Sequence, residues 1–245
     1  MKRILRSSAF LGAFAAVLAF AGHSAHAGLI ITSVVGGSAT GANYANFDDL
    51  TTGASGGLTS VVGPTSSTLT VSFTGDGQAV TGSVGGLYAA PYLSANNATN
   101  FGNTPTTGQD QSVYLTTGIG SVALNFSSHQ DYFGLLWGSI DGYNSLEFFD
   151  GVTSVGLLTG SDVAVSANGD QGVNGTYYVN IHSTLLFDRV VASSTNYAFE
   201  FDNVAFDLRA VPEPGSIALI ATGIGGWGLM MRRRRGRAKS DVSKV

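Results

Sequence analysis

The sequence predicts an all-β body, an antiparallel β-sandwich of jelly-roll type, and three observations lead there. Helix formers are scarce between residues 28 and 210, where Glu147 and Glu200 are the only glutamates, while Val, Phe, Tyr and Thr are plentiful. Apolar residues alternate with polar ones over short runs, the period of a half-buried strand. Turn signals separate these runs at intervals of roughly ten residues, as in sandwiches. The many Phe, Tyr and Leu residues at strand spacing argue against low-complexity disorder despite 34 glycines.

The elements follow in order. Residues 68–73 alternate with Leu69, Val71 and Phe73 on one face, and residues 121–127 do so with Val122, Leu124 and Phe126. Residues 132–139 align Phe133, Leu135 and Trp137, which makes Trp137 a core residue, and Asp141-Gly142 then marks a turn. Residues 145–149 read as the returning strand, closed by Asp150-Gly151, and residues 152–158 follow. Asn168-Gly169-Asp170 signals another turn before strands at 176–181, 187–192 and 197–208. The last strand changes phase: Phe199 and Phe201 share one face, Val204 and Phe206 the other, so a bulge is expected near Asp202-Asn203. The stretch 36–86 is glycine-rich and reads as looser.

The ends of the chain read differently. Lys2, Arg3 and Arg6 precede an apolar run at 9–21, and Ala25-His26-Ala27 supplies a small-x-small cleavage pattern. Residues 1–27 are therefore an expected signal peptide, with the mature chain starting at Gly28. Near the other end, residues 217–231 contain no charge and are followed by Arg232, Arg233, Arg234 and Arg235. Fifteen helical residues reach about 22 Å, short of the ~30 Å hydrocarbon core, a gap that bilayer thinning and snorkelling arginines close. The arginines stay cytoplasmic and orient the body outward. Gly223, Gly225, Gly226 and Gly228 argue against a soluble core helix, since each costs ~1 kcal/mol there.

The charges segregate along the chain. The whole sequence carries −4, but residues 28–210 hold fourteen acidic side chains against Arg189 and Arg209, a net −12. Such a body attracts cations and repels phosphate backbones, which excludes nucleic acid as a partner. No cysteine is present, so no disulfide braces it.

Pro212-Glu213-Pro214, Ser216, the glycine-punctuated apolar stretch and the arginine cluster together resemble the PEP-CTERM sorting signal of exosortase-processed bacterial proteins. That resemblance implies a membrane-embedded exosortase as partner, cleavage near Pro212-Glu213-Pro214, and release or attachment at the cell surface. Residues 236–245 form a tail after the arginines, longer than the usual abrupt ending. The stretches at 86–92, 132–139 and 198–204 are similar to a family of exosortase-dependent surface proteins, a likeness covering residues 88–206 that carries no assigned chemistry. The implied organisation is a signal peptide (1–27), an acidic ectodomain (28–210), a sorting signal (211–235) with its membrane helix (217–231), and a cytoplasmic tail (236–245).

The residues give little support to catalysis. Most acidic groups sit in turn dipeptides, Glu147 and Glu200 fall on predicted solvent faces, and neither His129 nor His182 accompanies a nucleophile elbow. A non-enzymatic surface or matrix protein is the first expectation, an exopolysaccharide-binding module the second. No cofactor is required, but calcium suits an exported acidic domain. By analogy with carbohydrate-binding jelly rolls, Asp48 or Asp49 is expected to meet Asp202 at such an ion. Tyr88, Tyr92 and Tyr143, flanked by turn residues, are the expected sugar platforms.

Overall fold

The structure, a computed structural model, describes residues 24–26, 28–64, 68–103 and 105–208. These fall in one compact unit that runs to Leu208. The expected membrane helix at 217–231 lies outside the described residues, as do most of the expected signal peptide at 1–27 and the whole expected sorting signal at 211–235. Among the described residues no helix is long and apolar enough to cross a membrane.

The fold is antiparallel β-sheet with almost no helix. Its strands are β1 (Ser24–His26), β2 (Leu29–Val35), β3 (Asn43–Ala45), β4 (Gly56–Thr59), β5 (Leu69–Gly75), β6 (Gln78–Val80) and β7 (Tyr92–Leu93). They continue with β8 (Gly108–Gln109), β9 (Tyr114–Thr117), β10 (Gly120–Gly138), β11 (Asn144–Asp150), β12 (Thr153–Thr159), β13 (Tyr177–Ser194) and β14 (Phe199–Asp207). Among the described residues, helix is confined to the four residues Gly160–Val163 and a 3-10 turn at Val173–Gly175.

Two long strands organise the sheet. β10 and β13 pair along nearly their whole length, and the register slips between Asn125 and Tyr132. The early half of β10 takes β5 on its free side, with β4 beyond, and the late half of β13 takes β11 and then β12. Past the slip the partners change: late β10 takes β14, and early β13 takes β2. The result is two wings that share β10 and β13. The slip also explains a change of parity. Val122, Leu124 and Phe126 lie at even positions and Phe133, Leu135 and Trp137 at odd ones, yet all six belong to one core.

Both wings feed that core. Phe126 and Phe133 of β10 meet Phe148 of β11, Phe187 of β13 and Phe206 of β14 in a chain of ring contacts with centroids 4.9–6.3 Å apart. The approach between wings is close enough to require a glycine: a Cβ on Gly156 of β12 would lie 2.7 Å from the side chain of Leu29 on β2. Trp137 is fully buried and stacks on Phe199 at 4.3 Å, as the strand pattern predicts for a core residue.

Several strand expectations need correction. The separate strands expected at 121–127 and 132–139 are one strand of 19 residues, and those at 176–181 and 187–192 are one of 18. Residues 145–149 do not return along 132–139. β11 instead pairs with late β13, Asn144 opposite Ser194, so the Asp141-Gly142 turn carries the chain from one wing to the other. Asp150-Gly151 does close a hairpin, β11 to β12, with Gly151 at φ 57°. The stretch 36–86 contributes β3 to β6 and is more ordered than its glycine content suggests.

The expected break in the last strand is present. Gly134 pairs with Ala205 but Leu136 pairs with Asp202, so β14 carries an extra residue there. Asn203, at φ 51°, takes up the bulge in the left-handed region that asparagine tolerates. Asp202, beside this bulge, shares the Glu200 face of β14 yet is fully buried, and it belongs to the first candidate site. At the other end of the unit, β1 pairs antiparallel with β2 around Gly28 at φ 88°.

Candidate functional site

Three groups of chemistry-bearing side chains stand out. The first is buried beneath the β14 bulge. Asp202 and Asp110 are 0% and 1% exposed, and Asn103, at 4%, bridges them: its Nδ2 donates to Asp110 Oδ2 at 3.2 Å and to Asp202 Oδ2 at 3.3 Å. Asn103 Nδ2 also donates to Ser112 Oγ at 3.0 Å, and the Ser112 hydroxyl and N–H both donate to Asp110 Oδ1. Asn103 and Asp110 come from the irregular segment between β7 and β9, held in place by an Asp110 N–H bond to Pro91 O.

Asp48 reaches this cluster from the segment after β3, where its Oδ1 accepts from Val113 N–H at 3.1 Å. Partial burial raises the pKa of Asp48, and the charges of Asp110 and Asp49 add to the effect. Burial drives the carboxyl of Asp202 well above the ordinary range, reinforced by the charge of Asp110 and a hydrogen bond between the two acids. Asp49 points elsewhere. Burial alone would raise its pKa, but hydrogen bonds from Ser60 and Thr59 outweigh that and hold it below the usual value. The structure thus brings Asp48 and Asp202 together with two residues missed in the sequence, Asp110 and Asn103. Both sit in an Asn-, Thr- and Gly-rich stretch without periodicity, so no local signal marked them.

The second group lines an open groove of about 370 Å³ beside a smaller recess of about 100 Å³, with Leu87, Tyr88 and Tyr197 common to both. Tyr197, 41% exposed, donates its hydroxyl to Asp76 Oδ2 at 2.7 Å. Gln78, Thr116, Gly75, Gly77 and Gly118 are among the other residues that line the groove. Of the three expected platforms only Tyr88 lines it. The Tyr143 hydroxyl is committed to Asp141 Oδ2 (2.6 Å) and Tyr197 O (2.8 Å), and Tyr92 faces a separate cavity that Asp110 also lines. Tyr197 carried no signal in the sequence beyond its place at the start of the strand expected at 197–208.

Glu200, expected on a solvent face, lines the recess but is only 2% exposed. Alternation does turn it away from the core of Phe199 and Phe201, but the segment around Ala89 covers that second face. Ala89 N–H donates to Oε1 at 2.8 Å, and Ser139 Oγ is hydrogen-bonded to Oε2. Burial pushes the carboxyl up to about 7, against the lowering effect of those bonds and with the charge of Asp141 adding to the rise. Both oxygens are thus engaged by the protein.

The third group is His129, Asp150 and Asp188, whose ligand atoms lie within 4.8 Å of one another. His129 Nε2 is 3.0 Å from Asp150 Oδ1, but both side chains are about half exposed, and such pairs contribute little in water.

Neither a curated protein nor a solved structure matches the chain. A family model does: the PEP-CTERM protein-sorting motif matches residues 210–235, which span Pro212-Glu213-Pro214, the apolar stretch and the four arginines. Its boundaries adjoin the end of the β-sheet unit at Leu208. The motif implies exosortase-dependent export and a membrane-anchored precursor, and the chain thus carries a PEP-CTERM protein-sorting signal.

Proposed function

We propose that this protein is an exported bacterial surface or extracellular-matrix component without catalytic activity of its own, held in the membrane as a precursor and then processed by an exosortase. The single observation that carries the reading is the sorting motif at 210–235. In this reading residues 1–27 leave as a signal peptide, and the helix at 217–231 holds the precursor with Arg232 to Arg235 on the cytoplasmic side. Removing the tail takes away seven of the twelve basic residues and delivers a strongly acidic, jelly-roll-like sandwich to the surface or to a biofilm matrix. Intact-mass analysis of the surface-released protein tests it. The expected mass begins at Gly28 and lacks residues 217–245. Alanine at Pro212, Glu213 and Pro214 is expected to leave the membrane-bound precursor intact, and a released form that keeps residues 217–235 would contradict the proposal.

A second reading, exopolysaccharide binding, draws support from the groove. Sugars take aromatic platforms beside carboxylate and amide groups, and Tyr88, Tyr197, Asp76 and Gln78 offer both around about 370 Å³. A glycan array that includes the host's own polysaccharide tests it. Retention that Tyr197→Ala weakens about tenfold supports binding in this groove, the loss of ~1.4 kcal/mol expected when one platform is removed. No retention on any glycan removes this reading.

A further inference from the structure

We propose that Asp110, Asp202 and Asn103 form a buried calcium site, with Asp48 supplying negative charge at its edge. The proposal rests on neither the sorting nor the glycan reading, and the failure of either leaves it standing.

The first argument is charge. Two carboxyls, at 1% and 0% exposure, lie side by side with no basic partner. Arg189 is the only Lys or Arg among the described residues, and it sits over the Phe149 ring on the far wing, 4.4 Å from the centroid. Buried carboxylates without a counter-ion are costly, so they bind a cation or hold a proton. A divalent cation neutralises both acids at once.

The second argument is the orphaned oxygen atoms. Asn103 Oδ1 and Asp202 Oδ1 are buried and have no hydrogen-bond partner. Native interiors rarely leave such atoms unsatisfied. The Asn103 amide is already aimed into the cluster, because its Nδ2 contacts an oxygen of each acid. A half-turn about its last bond exchanges the amide's N and O. Oδ1 then stands 3.2 Å and 3.3 Å from the two carboxylate oxygens, where Nδ2 stands now. Oxygens so spaced match one face of a calcium polyhedron, whose ligands lie about 2.4 Å from the ion. The same rotation leaves Nδ2 free of the carboxylates, so a single motion converts a donor into a ligand.

The third argument is access. Asp110 forms part of the wall of an open cavity of about 470 Å³, together with Tyr92, Gln109 and Gln111. An ion has a path in, and water from the cavity completes a shell of six to eight oxygens, about half of which the three side chains provide. Magnesium fits less well, since it keeps most of its water and demands a tighter octahedron at about 2.1 Å.

The competing arrangement is a proton shared between the two acids. Titration calorimetry on the full chain in detergent, stripped with EGTA and held at pH 7.5, separates the two. Calcium chloride is expected to bind one ion per chain, with at least tenfold weaker binding of magnesium chloride. Calcium at ~100-fold excess over its Kd is expected to raise Tm by roughly 5–10 °C. Asp202→Asn and Asp110→Asn are expected to abolish both signals. In EGTA each variant should melt no lower than the parent, because an amide replaces a carboxylate that lacked a partner. Asp49→Asn and Asp150→Asn should retain both signals. Absence of calcium heat with the parent chain, or a Tm rise of equal size in Asp202→Asn, overturns the site in favour of the shared proton. Loss of the rise in Asp150→Asn instead would place the ion at His129, Asp150 and Asp188 and equally overturn the proposal. If Asp202→Asn does not fold, Asn103→Ala carries the same test: undiminished calcium affinity there removes the site.

Discussion

Phe133→Ala is expected to lower the melting temperature by roughly 6–20 °C. Phe133 is fully buried at the point where β10 passes from one wing to the other, with Phe126 and Phe148 against its ring at 6.3 Å and 6.0 Å. Truncating a buried phenylalanine costs about 3–5 kcal/mol, and in a unit of this size each kcal/mol shifts Tm by about 2–4 °C. The ring touches both wings, so its loss opens a cavity that neither can close alone. Phe149 is the control: it lies one residue along from Phe148, turns to the opposite face, and carries Arg189 on its outer side. Phe149→Ala is expected to cost a third as much or less. Equal shifts for the two variants in calorimetric melts would show that the wings do not close over Phe133.

The same residues show what the sequence could and could not convey. The parity of Phe133, Leu135 and Trp137 was visible, and so was the phase change between Phe201 and Val204, because both are local. The fusion of two short strands into β10 was not. Residues 128–131, Ser-His-Gln-Asp, separate the two expected strands and show no apolar alternation, yet they carry the register slip of a strand far longer than the usual five or six residues. Crossing from wing to wing at Asp141-Gly142 was equally hidden, since a turn dipeptide states that the chain bends but not which strand it joins. The buried acids divide in the same way. Asp48 and Asp202 were suggested by their places near the first and last strands, whereas Asp110 and Asn103 lie in a segment whose position only tertiary contacts fix. Glu200 was placed on the correct face by alternation, but the cover over that face comes from residues more than a hundred positions away.

Glu200 gives the chain an acid-favoured stability, and Glu200→Gln is expected to remove it. An ordinary glutamate at 4.5 and a buried one at about 7 differ by ~3 kcal/mol in proton affinity. The folded state holds the proton more tightly, so the stabilising contribution is complete below about pH 4.5 and is lost as pH rises through 7. Glutamine mimics the protonated acid: its oxygen accepts from Ala89 N–H and its amide nitrogen donates to Ser139 Oγ. At pH 4.5 the variant and the parent should melt together, and at pH 8 the variant should melt roughly 5–10 °C higher. Asp141, Tyr143 and Tyr114 are the charged or titratable groups that act on Glu200. Burial raises both phenols further above their ordinary range, so they stay neutral throughout this window. Asp141, raised by its own burial, acts in the same sense: its negative charge favours the protonated Glu200 that glutamine reproduces. Asp202 imposes a slope of the same sign, since burial also raises its carboxyl, but it does so in both chains and cancels from their difference. EGTA in every sample keeps bound cation from altering that term. Parallel melting curves for the two chains from pH 4.5 to 8 would mean that Glu200 is ionised in the folded protein, and that the Ser139 and Ala89 bonds outweigh its burial.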